Sequence, residues 1–330
     1  MFTMADLQKI IWAIDPFEHK GLEYENTVKT LRCVQRRMNA VILPVHILNP
    51  AELSFAGDLT GQITFELDEK YRTSAELAVN SYLKNIELSG PVEPPKILIQ
   101  ATGSKREAVG VLDHYAESQG ASLILVSTHS KEGLKRIFIG SFAEAVALHS
   151  RYPALVVRSV TDSFEECFER VLFPTDLTQI SKVLFKNTVS LAKVFGAKIT
   201  LFHSVPNPVE PVLQSGMYLL GGSWVPVHNY FSVDIEERKR KIEAWCSWAS
   251  KQGVEIETVV SERGGSITDS ILRLAREKNA QMIVMAAESG PISAALLGSI
   301  AREVLRRAHC PTLILHPLKR VRKSTMSKVA

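Results

Sequence analysis

The sequence predicts an α/β fold built twice, as two tandem open-sheet domains, each a five-stranded parallel sheet with helices on both faces. Three observations predict it. First, Gly140-Ser141-Phe142-Ala143, Val146 and Pro153-Ala154-Leu155 recur as Gly298-Ser299-Ile300-Ala301, Val304 and Pro311-Thr312-Leu313, at a constant offset of 158 residues. Second, each half opens with an apolar strand that runs into an acid, Ile11-Trp12-Ala13-Ile14-Asp15 and Val171-Leu172-Phe173-Pro174-Thr175-Asp176. Third, apolar strands alternate with amphipathic helices, the pattern of a parallel sheet covered on both faces. With 330 residues, each half is long enough to bury its own core.

The elements of the first half follow in order. Ile11 to Asp15 carries strand one, and Asn39 to His46 aligns with Gly196 to His203 of the second half, which places strand two. Ser104-Lys105-Arg106-Glu107 reads as a capping box that opens a helix. Leu123 to Val126 is strand four, and Ala154 to Arg158 is strand five after the helix that begins at Gly140-Ser141. The polar stretch Thr161 to Glu166 is the linker, which places the domains at 1–162 and 163–318.

The second half repeats the plan more legibly. Strand one is Arg170 to Pro174, and Leu184, Thr188, Leu191, Ala192 and Phe195 lie at helical spacing before a stop at Gly196. Strand two is Lys198 to Val205, followed by an irregular excursion from Pro206 to His228. Ile235, Ile242, Trp245, Cys246 and Ala249 then share a helical face, and Val254 to Val260 is strand three. Ser266 with Asp269 resembles a capping box, Gln281 to Ala286 is strand four, and Thr312 to Leu315 is strand five.

Composition excludes several classes. Apolar content of 45% with 22% charged residues is that of a soluble globular protein. No apolar run approaches the roughly 20 residues of a bilayer span, and no secretory signal is visible. A cytoplasmic protein that is not bound to membrane is expected. Cys33, Cys167, Cys246 and Cys310 form no CxxC, which suits a reducing compartment and provides no metal site. The net charge of +4 comes from the last twelve residues, 319–330, where Lys319, Arg320, Arg322, Lys323 and Lys328 form a basic tail, expected to be disordered. The charge belongs to the tail and not to the folded body, so no DNA partner is expected.

In open sheets ligands sit beyond the carboxyl ends of the strands. There the segment Ser127-Thr128-His129-Ser130, running on to Gly140-Ser141, resembles the signature loop of the universal stress protein family, G-x2-G-x9-G-(S/T). The resemblance extends over both halves and implies an adenine nucleotide α-hydrolase-like fold. It also implies that the acid after strand one contacts adenine, and that the two fifth strands pair into an intramolecular pseudo-dimer able to dimerise further. For the first half it implies a nucleotide site of Asp15, Val45, Ser127, Ser130, Gly140 and Ser141, holding ATP or AMP with Mg. The equivalent positions of the second half are Asp176, Phe202, Met285, Glu288, Gly298 and Ser299.

Both copies depart from the pattern. Glycine lets backbone N–H groups approach a phosphate and adopt left-handed dihedrals. Ser127 and Ser130 would each cost roughly 1–2 kcal/mol if those dihedrals are required. Met285 and Glu288 would fill the approach and repel phosphate, leaving an apolar ligand as an alternative in that half. Ser141 and Ser299 also have a plainer use as helix caps, and Asp15 and Asp176 as partners of loop N–H groups. His46 and His203 end strand two in both halves, which suggests a hydrogen-bonded fold position in preference to a catalytic base.

No P-loop, GxGxxG, HExxH or GxSxG is present. The expected function is therefore that of a non-catalytic stress-response protein with degenerate nucleotide motifs, acting through its conformational state or an unidentified protein partner. The alternative is an ATP-binding switch or slow ATPase that uses the first half only.

Overall fold

The computed structural model describes residues 8–16, 23–48, 65–100, 103–128, 140–158, 168–205, 217–218, 224–225, 227–261, 265–287 and 298–316. The first half runs β1 (Gln8–Ala13), α1 (Glu23–Met38), β2 (Ala40–Leu48), α2 (Phe65–Lys84), β3 (Lys96–Ile99), α3 (Lys105–Gln119), β4 (Leu123–Thr128), α4 (Ser141–His149) and β5 (Ala154–Arg158). The second runs β6 (Arg170–Pro174), α5 (Gln179–Phe195), β7 (Lys198–Ser204), the short strands β8 (Met217–Tyr218) and β9 (Trp224–Val225), then α6 (Val227–Lys251) and β10 (Ile256–Ser261). It closes with α7 (Ile267–Glu277), β11 (Met282–Ala286), α8 (Ser299–Arg307) and β12 (Thr312–Leu315). The expected linker, the domain boundaries and the basic tail lie outside the described residues. In the excursion the described residues form the β8–β9 hairpin and the start of α6 at Val227.

Each half is a parallel sheet in the order third, second, first, fourth, fifth strand. The two sheets join edge to edge into ten strands, because β12 pairs antiparallel with β5 through Thr312↔Val156, Leu313↔Leu155 and Ile314↔Ala154. Strand alternation sends side chains to two covered faces. Ile10, Trp12, Leu125, Phe173 and Val284 meet α1, α5 and α6 on one face, where Phe185 stacks on Trp245 at 5.2 Å. Ile11, Val45, Val126, Ile283 and Ile314 meet α3, α4, α7 and α8 on the other. Each such side chain, fully buried, contributes on the order of 1.5–3 kcal/mol.

Helix ends repeat between halves. Gly196 after α5 has φ 65° and Asn39 after α1 has φ 48°; Gly120 after α3 and Asn279 after α7 form a second such pair at 66° and 48°. Glycine and asparagine enter the left-handed region at the lowest cost, so each helix stops where the sequence supplies one of them. The capping expectations are met unevenly. Ser266 accepts from Asp269 N at 3.2 Å, but the Asp269 carboxylate takes Arg307 at 2.5 Å in place of closing the box. Ser104 stands at the N-cap of α3 with no side-chain cap hydrogen bond.

The join is clasped from both sides. Arg158, the last residue of β5, donates to the Ala308 carbonyl at the end of α8 at 2.5 Å. The imidazole of His316, just past β12, packs beside the Ala147 backbone in the last turn of α4.

Candidate functional site

The mouth of each half lies at the carboxyl ends of its strands, between the first and fourth strands, where the direction of strand succession reverses. In both mouths a histidine at the end of the second strand fixes the peptide that precedes the strand-one acid. His46 Nδ1 lies 2.9 Å from the Ile14 carbonyl, while Ile14 N donates to the Val45 carbonyl at 2.9 Å. His203 Nδ1 lies 2.8 Å from the Thr175 carbonyl, while Thr175 N donates to the Phe202 carbonyl at 2.8 Å. A carbonyl only accepts, so each Nδ1 carries the proton. On His203 the other nitrogen faces Arg238 Nη1 at 3.2 Å, a donor only, which makes that ring neutral with both nitrogens engaged. Both imidazoles are buried, as a fold position requires.

Asp176 is committed to its own loop. Its Oδ1 accepts from Thr178 N at 3.0 Å, Thr178 Oγ1 at 2.8 Å and Ser181 Oγ at 2.5 Å, while Thr178 caps α5 by accepting from Ser181 N. Burial pushes the carboxyl up, but the hydrogen bonds from Ser181 and Thr178 outweigh it and hold it below the usual carboxylate range. Asp15 occupies the same place in the first half, half-buried, one residue past the peptide held by His46.

The loop positions differ from the expectation. Ser127 lies within β4, so the left-handed strain expected of it does not arise, and its hydroxyl shares a 2.9 Å hydrogen bond with Thr27 Oγ1 of α1. Gly140 and Gly298 are the N-caps of α4 and α8, with φ of −53° and −60° that any residue adopts. Ser141 and Ser299 are thus first helical residues and do not cap. Neither helix has a side-chain cap hydrogen bond, which leaves its first N–H groups without that partner at an end that favours an anion. Ser130 and Glu288 lie outside the described residues.

Met285 is not the counterpart of Ser127. Val126 pairs with Val156 and Met285 with Ile314, and Val156 and Ile314 are themselves counterparts. Met285 therefore stands where Val126 stands, on the same buried face, and fills core space in place of a ligand approach. The strand registers make Ala286 the counterpart of Ser127, and the segment from β11 to α8 is one residue shorter than that from β4 to α4. Val45 and Phe202 likewise bury their side chains, 1% and 3% exposed, and offer the mouth only backbone.

Five participants were missed from sequence. Thr27, Arg238 and Gln100 give no local signal, whereas Thr178 with Ser181 follows the ordinary cap spacing and could have been read. Gln100 follows β3 in the first half; it is 5% exposed, and among the described residues its Oε1 has no hydrogen-bond partner. Among the described residues no group of three or more His, Cys, Asp or Glu could hold a metal, and no helix is long and apolar enough to cross a membrane.

The sequence profile of the Universal stress protein family matches residues 7–158 and again 168–316. The chain is 27% identical over 166 residues to universal stress protein MJ0531 of Methanocaldococcus jannaschii, covering 50% of this chain and 92% of that protein. A universal stress protein from Archaeoglobus fulgidus superposes with a TM-score of 0.62 at 17% identity, over 94% of this chain and 98% of that one. Protein PA1789 of Pseudomonas aeruginosa superposes at 0.59 and 13% identity, over 96% and 94%. At such identities the structural likeness establishes the fold.

Proposed function

Since this chain belongs to the universal stress protein family in both halves, we propose that it is a cytoplasmic stress-response regulator that works by binding and conformational state, not by catalysis. One observation carries this reading: the imidazole at each mouth is locked onto the peptide before the strand-one acid. In the second half the carboxylate itself is occupied by Thr178 and Ser181, so the residues a proton-transfer step would recruit are holding the fold. The pairing of β5 with β12 supports a chain that forms its own pseudo-dimer, with a further copy or another protein as partner.

A second reading, an adenine nucleotide bound by the first half alone, is favoured by two features. The N-terminus of α4 lacks a side-chain cap, and Gln100 presents a buried acceptor without a partner among the described residues, beyond the end of β3. Asp15, the Val45 backbone, Gly140 and Ser141 would hold the ligand, whose phosphates supply charge for the α4 dipole. A Mg ion would arrive with the phosphates.

The test is direct. The purified protein is denatured and the supernatant is analysed for released nucleotide, and the native protein is titrated with Mg-ATP and assayed for phosphate. An empty protein indifferent to millimolar Mg-ATP supports the binding-regulator reading without nucleotide. One nucleotide per chain, lost in Gly140→Asp, supports the second. Steady ATP turnover overturns the non-catalytic assignment.

A further inference from the structure

We infer that the seam between the halves carries a charge code that admits only unlike halves, so that the first half is fitted to the second half of its own chain and not to the first half of another copy. The inference rests on the paired halves proposed above. Leu155 stands opposite Leu313, and the two are counterparts at the 158-residue offset, so the local two-fold axis passes between them. The helices leading into these strands keep the same offset. Glu144 of α4 is the counterpart of Arg302 in α8, and Leu148 that of Arg306.

A residue close to a two-fold axis faces its own counterpart. Glu144 does so with opposite charge. Its Oε1 lies 3.2 Å from Arg302 Nε and 3.0 Å from Arg306 Nη2, and its Oε2 lies 3.2 Å from the same Arg306 nitrogen. The Glu144 side chain is only 18% exposed, so solvent screens the contact incompletely.

Like pairing reverses the sign of the contact. Two first halves would set Glu144 against Glu144, with Leu148 where a cation is needed. Two second halves would gather Arg302 and Arg306 from both sides, with an arginine where Glu144 belongs. Glu303 reaches Arg306 within its own helix at 3.7 Å and would leave an excess of cations. Specificity here comes as much from the repulsion of wrong pairs as from the attraction of the right one.

The experiment uses the full chain and measures amide hydrogen exchange in β5 and β12, with β2 and β7 as internal controls. In Glu144→Arg, exchange in β5 and β12 is expected to rise about tenfold while the control strands keep their protection. The reversal Glu144→Arg with Arg302→Glu restores slow exchange. Arg302→Glu with Arg306→Leu gives α8 the seam residues of α4, placing like against like within one chain, and exchange rises again and falls with added salt. If β5 and β12 are unprotected in the unmodified chain, the pairing itself fails. If they are protected but indifferent to these substitutions, or if the reversal is no better than Glu144→Arg, the charge code alone is overturned.

Discussion

His316, the residue just past β12, packs beside the backbone of Ala147 in α4, so the end of one half's fifth strand rests on the last helix of the other. Burial pushes the imidazole down to about 4; the Ala147 backbone opposes this and the nearby His149 adds to it. The neutral ring is therefore the form that the join accepts.

Acid should loosen the molecule through this group. A histidine depressed from 6.5 to about 4 contributes stability that is full above 6.5 and drains away as pH falls toward 4, because the unfolded chain takes up the proton first. The loss reaches at most about 3 kcal/mol. Urea midpoints measured between these limits should fall steeply in the unmodified chain and more gently in His316→Gln. Equal slopes would show that the ring is not the sensor.

Gly140→Asp separates stability from ligand binding. Gly140 has ordinary helix-cap dihedrals, and aspartate is among the favoured N-cap residues, so thermal stability should hold or rise by about 0.5 kcal/mol. The same carboxylate sits where an anion would meet the α4 N-terminus, so any phosphate-bearing ligand should bind at least about tenfold more weakly. Unfolding scans and ligand titration on one sample decide the matter.

The loop before α5 should respond as a structural cap. Thr178→Ala removes the acceptor of Ser181 N and one donor to Asp176, and should cost about 1 kcal/mol in denaturant unfolding. Asp176 contributes its stability above the usual carboxylate range and loses it as the pH falls through its lowered value. Asp176→Asn should therefore flatten the acid limb of the stability curve. An unchanged limb would remove Asp176 from the cap.

The matched helix stops predict an asymmetric pair of substitutions. Gly196→Ala forces a Cβ into a backbone with φ of 65° and should cost about 1–2 kcal/mol. Asn39→Gly, at the same place in the first half, should change stability by only a few tenths of a kcal/mol, with Asn39→Ala approaching the larger figure. Calorimetry of the three variants checks the order.

Repeated punctuation made the fold legible. Gly140 and Gly298 mark helix starts, Gly196 a helix stop, and the strand-one acids mark the mouths, each fixed by short-range chemistry. The candidate site was less so. The one-residue difference between the β4–α4 and β11–α8 segments cannot be counted from glycine spacing once the glycines are gone. Only the strand register, with Met285 beside Ile314, reveals which face a residue occupies. Thr27 and Ser127 are 100 residues apart and meet only through the packing of α1 on the sheet.

The antiparallel union of β5 and β12 makes the molecule bipolar. Because each half's strands run parallel, reversing direction at that one junction sends the two sets of carboxyl ends toward opposite poles. An outside protein that grips one pole is blind to the other. Whatever occupancy one pole has to report is relayed across the join, through the strand ladder at Leu155 and Leu313 and the contacts of Glu144 with Arg302 and Arg306.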